Sequence, residues 1–172
     1  AMEDFESDGL NPYYLYGGGH TVHGVMAYAE AVKELKQYCK KTKWMPDNIV
    51  LASGTGSTQA GIILGLHLED IHDVRVTGIS IARSKENGTE AILSLLQKVN
   101  AEKEINIDYK SNIYFRDDFL CGGYEQTSPE LSDFVKNLSQ ETGIVFDTTY
   151  SGKAFWGMQK LIDQGEISGN IL

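Results

Sequence analysis

The residues whose types and spacing could do chemistry cluster first in NIVLASGTGSTQAGIILGLHL, residues 48–68. There an apolar run, Ile49 to Ala52, meets Ser53-Gly54-Thr55-Gly56-Ser57-Thr58, and a helix-like apolar run follows from Ala60. Glycines allow left-handed backbone angles and let the main chain come close to a ligand. The first N–H groups of a helix have no intrahelical acceptor and carry the positive end of its macrodipole. A strand, this turn and a helix start therefore predict an anion seat for a phosphate, with Ser57 and Thr58 as added hydroxyl donors. The plainer alternative is a tight turn capped by Ser57 that holds nothing.

Three phosphate ligands compete for such a seat. No GK[ST] follows the glycines, which excludes a P-loop. A dinucleotide fingerprint would read GxGxxG, but Gly61 lies five residues after Gly56. Arg83, just after the next apolar run, is the single point in favour of an NADP 2′-phosphate. The third option is a cofactor held by one phosphate, such as pyridoxal 5′-phosphate (PLP).

Tyr124 in GGYE and Tyr150-Ser151 in TYSGKA are further candidates. A phenol with an ordinary pKa near 10 needs activation by neighbours before it can act as a base at neutral pH. Half-buried core tyrosines are the alternative. His20 and His23 follow three glycines and read as loop and helix-start residues or as substrate contacts. His67 and His72 flank a helix end, and a reactive Cys121 would need a depressed pKa. Lys153 sits in the first turn of an expected helix and reads as a polar structural contact.

The elements that must position these residues follow from hydrophobic period and turn signals. PYYLY (Pro12 to Tyr16) is strand-like, and Val25, Met26, Ala29, Val32 and Leu35 recur at helical steps within Val22 to Lys41. Strands are expected at Ile49 to Ala52, Asp73 to Ile81, Ile113 to Phe115 and Ile144 to Asp147, with the terminal GNIL starting another. Helices are expected from Ser57 to Leu68, Thr89 to Glu104, Ser128 to Gly143 and Gly152 to Gly165. Strand and helix alternate about five times. That predicts a single α/β domain over residues 1–172, a three-layer parallel sheet with helices on both faces, and ligands at the carboxyl ends of its strands. Ala1 before Met2 reads as an addition and stays outside the fold argument.

Composition narrows the functional classes. The 172 residues carry a net charge of −9 and are 41% hydrophobic and 23% charged, a globular composition that argues against nucleic acid and anionic membranes. Two distant cysteines, Cys39 and Cys121, suggest a reducing compartment, and the location expected is cytoplasmic. No CxxC, HExxH or histidine cluster occurs, so no metal site is expected, and no apolar run approaches the roughly 18 residues of a membrane helix.

Four segments, YGGGHTVHGVMAY (16–28), ASGTGSTQAG (52–61), GGYEQTSPE (122–130) and GIVFDTTYSGKAFWGM (143–158), occur in this order. Together they resemble the PLP-dependent D-cysteine desulfhydrase and 1-aminocyclopropane-1-carboxylate (ACC) deaminase family, with its tryptophan-synthase-β-like fold. The resemblance spans nearly the whole chain. It implies a PLP-dependent lyase or deaminase acting on a small amino acid, with the cofactor phosphate held by Ser53, Gly54, Thr55, Gly56, Ser57 and Thr58. It also implies that Tyr124, Tyr150 and Ser151 are catalytic. At position 151 the deaminases typically carry Glu and the desulfhydrases Thr, so a serine leans to the second type.

The family's Schiff-base lysine lies in a GGNK-type motif upstream of the tyrosine-and-triple-glycine segment, and these residues contain no such motif. An HTGG-like turn that follows the GNIL strand in the family is likewise not among them. The expectation is a truncated large domain, the C-terminal half of the family pattern, catalytically dead or nearly so by itself. It would associate with itself or with a complementing chain that supplies the lysine, or else serve as a non-catalytic binding protein.

Overall fold

The computed structural model describes residues 2–172, so the reading of Ala1 falls outside it. Three strands form one parallel sheet in the order β1-β2-β3: β1 (Asn48–Ser53), β2 (Arg75–Ser80) and β3 (Tyr114–Arg116). Ser53 pairs with Ser80, and Ile79 with Arg116, so the carboxyl ends of the three strands lie on one edge. On the far side of β1 the chain end adds a parallel bridge, Asn48 with Ile171, and the amide of Leu172 donates to the Asn48 carbonyl at 2.9 Å. The expected GNIL strand is thus the start of a fourth ladder.

Six helices accompany the sheet: α1 (Met2–Ser7), α2 (Val22–Thr42), α3 (Ser57–Leu68), α4 (Lys85–Lys103), α5 (Pro129–Thr142) and α6 (Ser151–Asp163). Side chains alternate across a strand, so successive residues of β1 and β2 serve opposite faces. Leu51, Val76 and Phe115 pack with Val25, Ile63, Leu64, Ile92 and Leu96 of α2, α3 and α4. Val50, Ala52 and Ile79 pack instead with Leu131 and Val135 of α5 and with Trp156 and Leu161 of α6. The layers are three, as the sequence implies.

Local chemistry explains the boundaries. The Thr21 side chain caps α2 by accepting from the Gly24 amide, Ser84 caps α4 by accepting from Asn87, and Ser128 caps α5 by accepting from Leu131. The Ser84 cap starts α4 at Lys85, four residues before the Thr89 expected from periodicity alone. Helices α2 and α3 cross closely because glycine faces backbone. A Cβ on Gly61 would stand 2.5 Å from the Val25 carbonyl, and one on Gly65 2.8 Å from the Ala29 carbonyl.

Two expected strands do not form. Residues 12–16 are irregular, with Tyr13 88% exposed, and Tyr14 meets Tyr16 edge to face without a neighbouring strand to pair with. Residues 144–147 are also non-strand: Val145 is 92% exposed, and Asp147 is engaged by the amides that begin α6. An apolar run alone supplies no ladder partner, and hydrogen bonding to a helix start is the stronger local demand on Asp147.

Candidate active site

Strand β1 ends at Ser53 and α3 begins at Ser57, so three residues must turn the chain at the carboxyl edge of the sheet. Gly56 is the N-cap with φ +90°, a left-handed conformation that glycine adopts without a Cβ penalty, and it offers no side chain to its own helix. The Ala60 amide donates to the Gly56 carbonyl at 2.9 Å and opens the helical ladder. The amides from Gly56 to Gln59 therefore have no acceptor within the helix, and the macrodipole adds positive potential where they project. That donor set suits a phosphate dianion.

The hydroxyls around the turn divide their roles. Ser57 Oγ donates to the Gly18 carbonyl at 2.8 Å and ties the short 3₁₀ turn Gly17–Gly19 over the loop, while Thr55 Oγ1 stands 3.4 Å from Ser57 Oγ. Ser53 is 2% exposed, and its Oγ has no hydrogen-bond partner among the described residues. Gln59 is fully buried and faces the sheet, its Nε2 donating to the Tyr114 carbonyl at 2.8 Å. Arg83, read from sequence only as a rival-cofactor contact, donates from Nε to the Gly54 carbonyl at 3.0 Å.

Opposite this turn stand the two tyrosines. Tyr150 precedes α6 as its N-cap residue, and Tyr124 belongs to the loop between β3 and α5. Their hydroxyl oxygens lie 2.7 Å apart, and the rings meet edge to face with centroids 6.1 Å apart. The hydrogen bond to Tyr150 holds the Tyr124 phenol above its ordinary pKa, aided by desolvation and by the negative charge that Tyr150 and Glu125 can carry nearby. Either hydroxyl can act as the donor of the pair.

Tyr150 owes its position to Asp147. The Asp147 carboxylate accepts from the amides of Thr149, Tyr150 and Ser151 and from the Ser151 hydroxyl, and Ser151 Oγ in turn accepts from the Asp147 amide at 3.2 Å. This reciprocal capping uses the Ser151 hydroxyl within the turn. Desolvation pushes the Asp147 carboxyl upward, but the Ser151 hydroxyl and the amides of Tyr150, Ser151 and Thr149 outweigh it and hold the group down at about 2.

These parts enclose a cleft of about 430 Å³ lined by Gly18, Ala52, Gly54, Thr55, Thr58, Ile81, Ala82, Arg83, Tyr124 and Tyr150. The volume lies within the range of small-molecule and cofactor sites. The cleft gathers Gly54, Thr55 and Thr58 with both tyrosines, whereas the side chains of Ser53, Ser57 and Ser151 bond or pack elsewhere. Gly18, Ile81 and Ala82 were not singled out as site residues from the sequence; Gly18 lies in the triple-glycine motif, and the other two follow β2 at the strand edge where ligands bind. Among the described residues no lysine lines the cleft. Lys153 is fully buried, and its ammonium donates to three carbonyls. His20 lines a neighbouring recess with Arg83, Ser84 and Asn87.

Comparison with known proteins identifies the family. A D-cysteine desulfhydrase from Salmonella paratyphi C is 31% identical over 160 residues, which are 92% of this chain and 47% of that protein. A Pyrococcus horikoshii protein, described provisionally as a 1-aminocyclopropane-1-carboxylate deaminase, is 29% identical over 170 residues, 99% of this chain and 50% of its own. Among solved structures, an ACC deaminase homologue superposes with a TM-score of 0.86 at 29% identity, covering 99% of this chain and 50% of that one. The chain thus spans about half the length of the relatives it matches. A family model described as "Pyridoxal-phosphate dependent enzyme" matches residues 1–172, and with the phosphate-suited turn facing a tyrosine pair this places the chain in the PLP-dependent enzyme family.

Proposed function

We propose that this chain is the phosphate-holding and tyrosine-bearing portion of a PLP-dependent lyase that breaks down a small amino acid, releasing ammonia and a 2-oxo acid. The observation that carries this reading is that Gly54, Thr55 and Thr58, from the turn into α3, line one cleft with the Tyr124–Tyr150 pair. When bound, PLP supplies an electron sink for the amino acid's Cα. The amides from Gly56 to Gln59, with Thr55 and Thr58, grip its phosphate and so fix its distance from the tyrosines. Tyr124 donates a hydrogen bond to the Tyr150 oxygen, which stabilises charge there when Tyr150 passes its proton to or from the substrate. The exposure of both phenols, 48% and 46%, leaves them open to a substrate in the cleft.

Ser151 favours the desulfhydrase type, with sulfide released from a D-cysteine-like substrate. A hydroxyl there completes the reciprocal bonding with Asp147, whereas a glutamate would set a second carboxylate beside the first. Among the described residues the cleft lining contains no lysine, so the group that would tether the cofactor is not one of the lining residues. The two free cysteines suit a reducing cytoplasmic setting.

Thermal unfolding in the presence of PLP, pyridoxal and NADPH tests the reading. PLP should raise the midpoint and NADPH should leave it unchanged, by mass action on the folded state. Stabilisation by NADPH alone would overturn it.

A further inference from the structure

Helix α6 begins with Tyr150 at its cap and, three residues later, buries a lysine completely. Lys153 Nζ donates to the carbonyls of Leu120 at 2.9 Å, Gln126 at 3.1 Å and Gly123 at 3.2 Å. An ammonium has three donors, and here each has an oxygen. All three oxygens belong to the loop that carries Tyr124. That loop is conformationally costly: Cys121 and Glu125 hold φ values of +54° and +58°, and Gly122 and Gly123 hold +99° and +140°. Left-handed angles at residues with a Cβ persist only when the surroundings impose them.

The loop's own bonds are long and few. The Gly123 amide donates to Leu120 at 3.2 Å and the Gln126 amide to Gly123 at 3.3 Å, while Cys121 Sγ lies 3.7 Å from Ser128 Oγ. Burial favours the neutral amine and lowers the Lys153 pKa, with the Cys121 thiol and the Asp147 carboxylate opposing that effect.

We propose that Lys153 is a positioning residue whose buried ammonium fills a cage of three carbonyls and holds the loop Leu120–Gln126 in the shape that sets Tyr124 against Tyr150. One helix start thus places both phenols, Tyr150 directly and Tyr124 through Lys153. The consequence for catalysis rests on the proposed role of the tyrosine pair; the mechanical claim does not.

The test uses the chain without added cofactor, so a failure of PLP to bind leaves its readouts unaffected. Hydrogen exchange is followed peptide by peptide, and tyrosine ionisation by absorbance, in the parent chain, Lys153→Met and Lys153→Ala. Lys153→Met should speed exchange across 120–126 by about tenfold or more while α2 and α3 keep their protection, because three part-buried carbonyls lose their donor. It should also bring the Tyr124 phenol down towards its ordinary range, while Tyr109, which burial pushes up to about 12, stays in place. Propylammonium, which matches the three carbons and the ammonium removed beyond Cβ, should restore loop protection in Lys153→Ala, and tetramethylammonium, which has no N–H, should not. Unchanged exchange in the loop, a rise no greater than that in α2, or a Lys153→Ala variant that propylammonium neither refolds nor protects would overturn the proposal.

Discussion

The hydroxyls of Tyr124 and Tyr150 share one hydrogen bond of 2.7 Å on one wall of the cleft, although the residues stand 26 apart in sequence and on different elements. Removing one partner should be felt by the other. In Tyr150→Phe the largest force holding the Tyr124 phenol up is gone, so a spectrophotometric titration compared with the parent should show the Tyr124 step moving down towards its ordinary range, while the Tyr109 step at about 12 stays in place. An unchanged titration would show that the pair is not formed in solution.

Asp147 should set part of the acid stability. Its carboxyl titrates at about 2 in the folded chain, below its ordinary value of 3.8, so the unfolded state binds the proton more readily. The stabilisation is therefore complete above about pH 4 and is lost as pH falls towards 2. Asp147→Asn should cost about 1 kcal/mol at neutral pH, a capping magnitude suited to an exposed carboxylate. Urea melts at pH 7 and pH 3 should show the difference between parent and variant shrinking with acid. A difference that is constant with pH would contradict the assignment.

Much of this arrangement was legible in the sequence, and the exceptions have physical causes. Helix α3 begins and ends where its glycine turn and apolar run predict, and the motifs of residues 52–61, 122–130 and 143–158 mark the segments that meet in the cleft. The runs at residues 12–16 and 144–147 look like strands because apolarity is local, whereas a ladder partner is a property of the whole fold. What spacing did not reveal is the division of labour among hydroxyls. Ser57 bonds to the Gly18 carbonyl, 39 residues away in sequence, and Ser151 turns back to Asp147. The three-carbonyl hold on Lys153 draws on residues 27 to 33 positions away, which no local pattern records.

Gly56 should be intolerant of substitution. A Cβ there would meet Ile92 Cγ1 at 2.7 Å with φ at +90°. Ile92 is fully buried between the helices and has little room to retreat. Gly56→Ala should lower stability by about 1–3 kcal/mol through backbone strain and crowding. Chemical denaturation checks this, and a neutral result would mean that the turn is not held in its left-handed form.

Association is expected because apolar groups remain uncovered. Val145, Ile144 and Phe155 are 92%, 58% and 40% exposed on the α5–α6 side, and Tyr13 and Leu15 are 88% and 68% exposed near the amino end. Light scattering across a concentration series should show a mass above that of one chain. A monomer that persists at high concentration would contradict the expectation.

The central claim is that the amides opening α3 hold the phosphate of PLP, and amide NMR during titration addresses it most directly. Pyridoxal phosphate should move the Gly56, Ser57, Thr58 and Gln59 resonances to saturation, while pyridoxal, which lacks the phosphate, should leave them in place. Shifts confined to other parts of the chain, or equal shifts with both compounds, would contradict the account.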